Sequence, residues 1–291
     1  MKGRNTILML YLCCICMVCL GQTDPMATSN QSPNEHPISP FLFEVEDADN
    51  SVSNKPIFEA YDEVIERLEI LRKKKKSDSK FLRSIFYRVH QKSLVTYEKQ
   101  ATMAETMLTG NFGCLTGTAL YALILTHFDF IYEIIELPNH VFLKLVVDGQ
   151  TMLIESTNPE GGLIRLNEEL EQNMEQIAFD TRKLQLLTTV GEGSVGEWDL
   201  FEGHVKINLQ ELAGLQYFNE AVRYYIKKEY VKSMDMIAEA YERYPSKRNE
   251  KLMQLVINKI LKYDLIKEEL KNKYLKQYVT RVKGQKISQT K

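Results

Sequence analysis

A cysteine, a histidine and a glutamate follow one another in the middle of the chain, at Cys114, His140 and Glu155. A thiol becomes an effective nucleophile when a helix N-terminus or an adjacent imidazole stabilises its thiolate. A carboxylate beside the imidazole orients the ring and favours its protonated form. If the fold brings these three side chains together, they form a site that can attack an amide or peptide carbonyl.

The elements around Cys114 place it at the start of a helix. Apolar residues recur at helical spacing over residues 57–71 and again over 81–90, which predicts two amphipathic helices. A glycine-rich break at 110–113 follows, and an apolar helix is expected from Cys114 to about Thr126. By its position, Cys114 therefore has the helix N-terminus that stabilises a thiolate.

The chain changes to a strand pattern after this helix. Three short segments rich in β-branched and aromatic residues predict strands at 131–137, 140–147 and 150–156. Asp148 and Gly149 form a strong two-residue hairpin turn between the second and third of these strands. Helices followed by a meander of strands indicate an α+β fold rather than a doubly wound sheet.

The hairpin turn also determines which residues face each other. Val147 faces Gln150, so the numbers of each facing pair sum to 297. His140 accordingly faces Thr157. Glu155 is then a diagonal neighbour of His140 on the same face, with backbones about 7–8 Å apart. A glutamate side chain spans that distance, which makes Glu155 the natural partner of the imidazole.

The two faces of this hairpin differ in polarity. One face is apolar, whereas the other mixes His140 and Glu155 with polar side chains. We expect the mixed face to accept the helix that begins at Cys114, because that contact would join thiol and imidazole. The apolar face consists of Val141, Leu143, Leu145, Val147, Met152 and Ile154.

The order of these residues resembles the core of the transglutaminase-like superfamily. That core has a cysteine at a helix N-terminus, a strand that begins with histidine and has an aromatic two residues later, and a hairpin to an acid followed shortly by threonine. Residues 113–114, 140–142 and 155–157 match this pattern in the same order. The resemblance covers about residues 96–162, which is less than a third of the chain.

This resemblance implies a papain-like arrangement in which the Cys114 thiolate forms an acyl-enzyme, while His140 transfers the proton and Glu155 orients His140. It implies a cysteine hydrolase or acyltransferase of the peptidase, amidase or transglutaminase type, acting on a peptide or protein substrate. It implies no metal and no organic cofactor. The positions that depart from the usual pattern are Glu155 for aspartate, Phe142 for tryptophan, and Leu115 for an aromatic residue.

Each residue of the site also has a purely structural interpretation. A free cysteine is often a small buried apolar residue, a histidine at a strand start is often a hydrogen-bonded edge residue, and a strand carboxylate is often at the surface. The alternative hypothesis is therefore a catalytically inactive transglutaminase-like fold that acts as a protein- or peptide-binding module.

Residues 1–21 have the layout of a secretory signal peptide. Lys2 and Arg4 precede a short apolar run, which ends at small and polar residues near Gly21. An uncleaved anchor and a lipoprotein signal at Cys19 are the alternatives. Cleavage would remove four of the five cysteines, so the expected exported protein, whether periplasmic, cell-surface or extracellular, retains Cys114 as a free thiol.

The remaining chain divides by composition. Residues 22–56 are rich in proline and polar residues and predict a flexible linker, in which the apolar piece 41–43 is expected to dock on the next domain. A transglutaminase-like domain is expected over 57–205 and a helical domain over 206–291. Residues 214–248 resemble a tetratricopeptide repeat, which would cover the catalytic domain or bind a protein partner. The matching positions are Tyr217, Ala221, Tyr224, Ser233, Ile237, Ala240 and Pro245.

Composition and motifs exclude several other functions. A net charge of −2 and a pI near 6.3 argue against a nucleic-acid binder with a broad basic face. After residue 21, no apolar run is long enough to predict a membrane span. Residues 191–196 match G-x-G-x-x-G, but the sequence that follows does not predict the helix that a dinucleotide site needs. We interpret them as a glycine-rich loop.

Overall fold

The computed structural model describes residues 35–43, 53–137, 140–167, 205–262 and 267–280. The predicted signal peptide at 1–21, the predicted glycine-rich loop at 191–196 and His204 lie outside these residues. The sequence pattern also predicts a helix at 166–177 and a strand at 184–190; most of the first and all of the second lie outside them as well.

Two long helices, α1 (Lys55–Lys74) and α2 (Asp78–Lys92), correspond to the two predicted amphipathic segments. The Ser77 hydroxyl accepts a hydrogen bond from the backbone N–H of Lys80, which satisfies one of the free donors in the first turn of α2. Three basic residues in the last turn of α1 suit the negative end of its dipole. The buried face of α2 comprises Phe81, Leu82, Ile85, Phe86, Val89 and His90.

A short helix and a parallel strand pair, which the sequence pattern does not predict, precede Cys114. Strand β1 (Thr96–Tyr97) pairs with β2 (Asn111–Phe112), which lies inside the predicted break. Helix α3 (Met103–Thr109) lies between them and begins with a capping box. Helix α4 (Cys114–His127) follows as predicted, and nearly all of its residues are buried, so it is the central helix of the core.

A five-stranded antiparallel sheet has the strand order β6-β5-β4-β3-β7. The predicted hairpin register is confirmed, since Val147 pairs with Gln150, and the turn residues Asp148 and Gly149 have φ of 49° and 74°. Strand β5 ends at Ile154, two residues before its predicted end. The strands are β3 (Tyr132–Leu137), β4 (His140–Val147), β5 (Gln150–Ile154), β6 (Leu163–Arg165) and β7 (Val205–Ile207).

The prediction that the mixed face of the hairpin accepts the Cys114 helix is wrong. Helix α4 packs on the apolar face, where Val141 and Leu143 join its side chains in one core cluster and Thr118 donates a hydrogen bond to the Val141 carbonyl (3.1 Å). The physical reason is that this face has the larger apolar area to remove from water. A smaller cluster on the opposite face contains Ile135, Phe142, Leu153 and Leu166.

Part of the predicted linker packs against the core. Residues 35–43 contain a 3-10 helix, Ser39–Phe41, in which Phe41 is buried. The Tyr217 hydroxyl donates a hydrogen bond to the Leu42 carbonyl (2.8 Å), and the Phe43 ring meets the Tyr217 ring edge to face. The apolar piece thus docks on the helices that follow the sheet.

Four helices complete the described chain: α5 (Leu209–Ile226), α6 (Tyr230–Arg243), α7 (Lys247–Lys262) and α8 (Glu268–Tyr278). Small residues allow α5 and α6 to approach closely, because Ala221, Ser233 and Ala240 are fully buried. The Ser233 hydroxyl donates to the Ala221 carbonyl at 2.8 Å.

A buried ion pair joins the sheet to these helices. Glu136 of β3 is 1% exposed and contacts the guanidinium of Arg248 in α7. The hydroxyl of Tyr244, which follows α6, donates to the other carboxylate oxygen of Glu136 at 2.7 Å. Both carboxylate oxygens of this strand residue therefore have partners on the C-terminal helices.

Within the ranges that the structure describes, no helix combines the length and the apolar character needed to cross a membrane.

Candidate active site

Cys114 is the first residue of α4, where the backbone N–H groups of the opening turn have no partners within the helix. The residue before it must be small, since a Cβ at Gly113 would lie 2.9 Å from the Lys99 carbonyl oxygen. Thr116 accepts a hydrogen bond from the Gly113 N–H at 3.0 Å, which fixes the start of the helix. The Cys114 thiol is free and partly exposed.

His140 is the first residue of β4 and lies opposite Leu137 of β3. Its imidazole is 5% exposed and stacks on Phe142, two residues along the same face, with ring centroids 6.4 Å apart. Nε2 contacts a carboxylate oxygen of Glu155, and the ring also shares a hydrogen bond with the Cys114 thiol. Because Glu155 occupies Nε2, Nδ1 is the nitrogen left for the thiol.

Glu155 is held by a tight loop that follows β5. Its backbone N–H donates to the Gly162 carbonyl (2.7 Å), and its second carboxylate oxygen accepts from the N–H (2.9 Å) and hydroxyl of Thr157. A Cβ at Gly162 would lie 2.1 Å from the Glu155 carbonyl oxygen, so this loop closes only around a glycine. The carboxylate is 4% exposed and is therefore oriented by neighbours rather than by water.

Burial and the charge of the partner shift the pKa values of His140 and Glu155 in opposite directions. Burial lowers the pKa of His140, but the Glu155 charge and the hydrogen bonds to Cys114 and Glu155 outweigh it and raise the pKa of His140 to about 10. Burial raises the pKa of Glu155, yet the charge and hydrogen bond of His140 and the bonds from Thr157 bring it below its ordinary value. Both groups are therefore charged at neutral pH.

The thiol and imidazole meet at the end of the sheet rather than on its face. Helix α4 lies on the apolar face, and its first turn reaches Ser156, just past β5, whose hydroxyl donates to the Cys114 carbonyl at 3.2 Å. Gly117 permits this approach, since a Cβ there would be 2.9 Å from the Ser156 side chain. The three predicted residues come together at this end although the helix packs on the face opposite to the predicted one.

Tyr97 is a further residue of the site that the sequence pattern does not predict. It pairs with Phe112, two residues before Cys114, and the two rings meet edge to face with centroids 5.9 Å apart. Burial and the proximity of Cys114 and Glu155 raise the pKa of Tyr97, so its hydroxyl keeps its proton at neutral pH. In the sequence, Tyr97 is one of several aromatic residues before Cys114, and no spacing rule distinguishes it from the others.

The structure describes three other histidines. His36 contacts Asp62 of α1 at 3.2 Å. His127 ends α4 and contacts Glu69 of α1 at 3.0 Å. His90 packs between aromatic rings of the core, where burial lowers its pKa to about 4. Of the histidines that the structure describes, His140 has the thiol and the carboxylate as partners.

Comparisons of the chain with protein-family models, with curated proteins and with solved structures give no match. The transglutaminase-like and tetratricopeptide-like resemblances therefore stay predictions, whereas the α+β architecture is shown. Over the described ranges, no three His, Cys, Asp or Glu side chains group as metal ligands.

Proposed function

We propose that this protein is a thiol-dependent hydrolase or acyltransferase that acts on an amide or peptide bond, with a transglutaminase-like catalytic core. The observation that supports this most strongly is the buried contact between His140 and Glu155, with Cys114 at a helix N-terminus as the second partner of the imidazole. A charged imidazole between a thiol and a carboxylate is the arrangement that activates a cysteine nucleophile.

In the first half of the reaction, the Cys114 thiolate attacks the carbonyl carbon, and a tetrahedral intermediate with a negative oxygen forms. The backbone N–H of Cys114 is a donor for that oxygen, because the first N–H groups of a helix are free. His140 gives its proton to the leaving amine. Water or a second amine then attacks the acyl-enzyme, with His140 as the base.

The electrostatics of the site favour this proton transfer. The Cys114 contact is one of the causes that raise the pKa of His140. Acylation removes the thiolate charge, so the pKa of His140 falls at the step in which it must release a proton. Glu155 keeps the ring oriented throughout, because its other oxygen stays bonded to Thr157.

The cellular setting belongs to the same proposal. Cleavage at the predicted signal peptide would place this thiol in an exported protein, where a peptide or protein is the expected substrate. The helices from α5 onward would cover the catalytic core or bind a protein partner.

The rate of Cys114 alkylation by iodoacetamide tests the proposal, with an electrophilic peptide probe and mass spectrometry to identify the modified residue. We expect faster alkylation than for glutathione at pH 7, and a loss on the order of 10²-fold in His140→Ala. His127→Ala is the matched control, since His127 also contacts a glutamate but lies away from the thiol.

An alkylation rate equal to that of glutathione, or one unchanged in His140→Ala, would contradict a working nucleophile. If the Cys114→Ala protein also kept every measurable function, the fold would instead act as a binding module.

A further inference from the structure

A cleft opens beside the N-terminus of α4, between this helix and α5. Its lining includes Gly113 and Leu115, the residues on either side of Cys114, and Gln216, Glu220 and Arg223 from α5. The cleft is therefore adjacent to Cys114, although the Cys114 side chain does not line it.

Gln216 is the unusual residue of this cleft. Its side chain is 4% exposed, and neither its amide oxygen nor its amide nitrogen has a hydrogen-bond partner among the residues that the structure describes. Buried side-chain amides almost always have partners, because an unpaired polar group away from water is costly. A side-chain amide that lines a cleft, and whose oxygen and nitrogen are both unpaired, is suited to a ligand that supplies a hydrogen-bond donor and an acceptor.

The charges next to Gln216 compensate each other, and the third charged residue of the lining, Lys99, is exposed. Glu220 is 5% exposed and forms an ion pair with Arg223 one turn further along α5, so each charge is already compensated. The guanidinium Nε of Arg223 has no partner within the described part of the chain. Among the described residues, three N–H donors are therefore unpaired at the wall of the cleft, two on the Gln216 amide nitrogen and one on the Arg223 Nε, together with the amide oxygen of Gln216 as an acceptor.

We infer that this cleft is a substrate subsite in which the Gln216 amide pairs with one peptide unit of an extended segment next to the bond that Cys114 attacks. The peptide C=O accepts from the Gln216 amide nitrogen, and the peptide N–H donates to the Gln216 amide oxygen. The role of this subsite in catalysis rests on the proposed function. Binding of a peptide to the subsite can be measured without any reaction.

Binding is therefore measured on the full chain with Cys114→Ala, which cannot form an acyl-enzyme. The probe is N-acetyl-tetra-alanine methylamide, titrated while the side-chain NH₂ resonance of Gln216 is followed by NMR. We expect that resonance to shift on binding, and we expect Gln216→Leu to weaken binding about 5-fold or more, as the loss of one or two hydrogen bonds does. Asn219→Leu is the matched control, since Asn219 also lines the cleft but is exposed.

A set of analogues locates the contact. In each analogue one peptide N–H is replaced by an ester oxygen, and we expect one position alone to lose about 5-fold in affinity. In Gln216→Leu, that ester analogue and the parent peptide should bind with equal affinity. Equal binding of the peptide to both proteins, or no binding at all, would overturn the subsite.

Thermal stability separates a binding role from a structural one. Gln216→Leu removes an unpaired buried amide, so we expect the melting temperature to rise by about 2–5 °C. A structural amide would give a lower melting temperature instead, which would count against the inference. The iodoacetamide experiment above tests the thiol separately, so the subsite and the nucleophile can fail independently.

Discussion

Glu136 of β3 and Glu155, directly after β5, are both buried carboxylates, and their partners differ. Glu155 contacts His140, fifteen residues away across a hairpin, and its second oxygen is held by Thr157 in its own loop. Glu136 contacts Arg248 and Tyr244, more than a hundred residues away on the C-terminal helices. Burial lowers the pKa of Arg248 to about 10, and the pKa of His140 is raised to about 10, so both partners are charged at neutral pH. The imidazole differs in that the Cys114 thiol is also its neighbour, so a change of charge at the thiol changes the pKa of the ring.

The comparison shows that a buried charge pair does not by itself indicate a catalytic site. Removing two charges from water is costly in both places, and hydrogen bonds offset that cost in both. In the proposed function, the imidazole partner makes Glu155 part of a proton-transfer site. The guanidinium partner of Glu136 instead joins the sheet to the C-terminal helices. Changes at either pair should therefore have different consequences.

The largest effect is expected for Glu155→Gln. The amide fills the same space, but it cannot compensate the imidazolium charge, so His140 loses its orientation and its proton. We expect turnover of an electrophilic peptide probe to fall on the order of 10²–10⁴-fold, as for acid-to-amide changes in other triads. Glu133→Gln, in a half-buried residue of β3 that contacts Lys206, is the control. Full activity in Glu155→Gln would remove the carboxylate from the mechanism.

The next largest effect is expected for Arg248→Met, which keeps most of the side-chain stem but leaves the Glu136 charge uncompensated. We expect the free energy of unfolding in urea to fall by about 3 kcal/mol. Alkylation of Cys114 in the folded protein should not change. Arg67→Met removes a solvent-exposed pair with Glu63 and should cost less than about 1 kcal/mol. Equal costs for the two variants would refute a structural role for the Glu136 pair.

Gly162→Ala should disturb the Glu155 loop. The new Cβ would lie 2.1 Å from the Glu155 carbonyl oxygen and 2.4 Å from that of Asn158, so the loop must open. We expect a loss of about 2 kcal/mol in unfolding free energy together with about 10-fold slower alkylation of Cys114. Gly161→Ala, where the nearest atom is the flexible Asn158 amide at 3.2 Å, is the matched control. Normal alkylation in Gly162→Ala would mean that the loop does not position the carboxylate.

The smallest effect is a difference in how the His140–Glu155 and Arg248–Glu136 pairs make the free energy of unfolding depend on pH. The pKa of His140 is raised from 6.5 to about 10, so its contribution to stability is complete below pH 6.5 and is lost as pH rises toward 10. In urea unfolding at pH 7 and pH 9.5, we expect the wild type to lose more unfolding free energy between the two pH values than His140→Gln does. Arg248→Met should keep the wild-type slope between these two pH values. Identical slopes in wild type and His140→Gln would contradict a charged His140.

The parts of the site that depend on local geometry could be predicted from the sequence. The Asp148 and Gly149 turn determines the hairpin register, and the register brings Glu155 to His140. The start of α4 at Cys114 follows from the glycine-rich break and the apolar run. These features depend on residues that are close in sequence, so a periodic pattern is sufficient to find them.

Features that depend on distant contacts could not be predicted in this way. The face on which α4 packs was predicted wrongly, because the larger apolar area of Val141 and its neighbours decides the packing, and not the positions of the thiol and the imidazole. The pairing of Glu136 with Arg248 and the position of Gln216 in the cleft need the C-terminal helices in place. No spacing rule in the sequence connects residues so far apart.

Helix α5 has a consequence for cooperativity. Its first half contributes Leu212 and Leu215 to the core that contains α4, and its second half contributes Phe218 and Ala221 to the core of the C-terminal helices. One continuous helix thus belongs to two cores. Unfolding of either core would disrupt α5 and so expose apolar residues of the other core. A fragment that stopped before Leu209 would expose the side of α4 that α5 covers. Unfolding of the intact chain should therefore be a single concerted event rather than two.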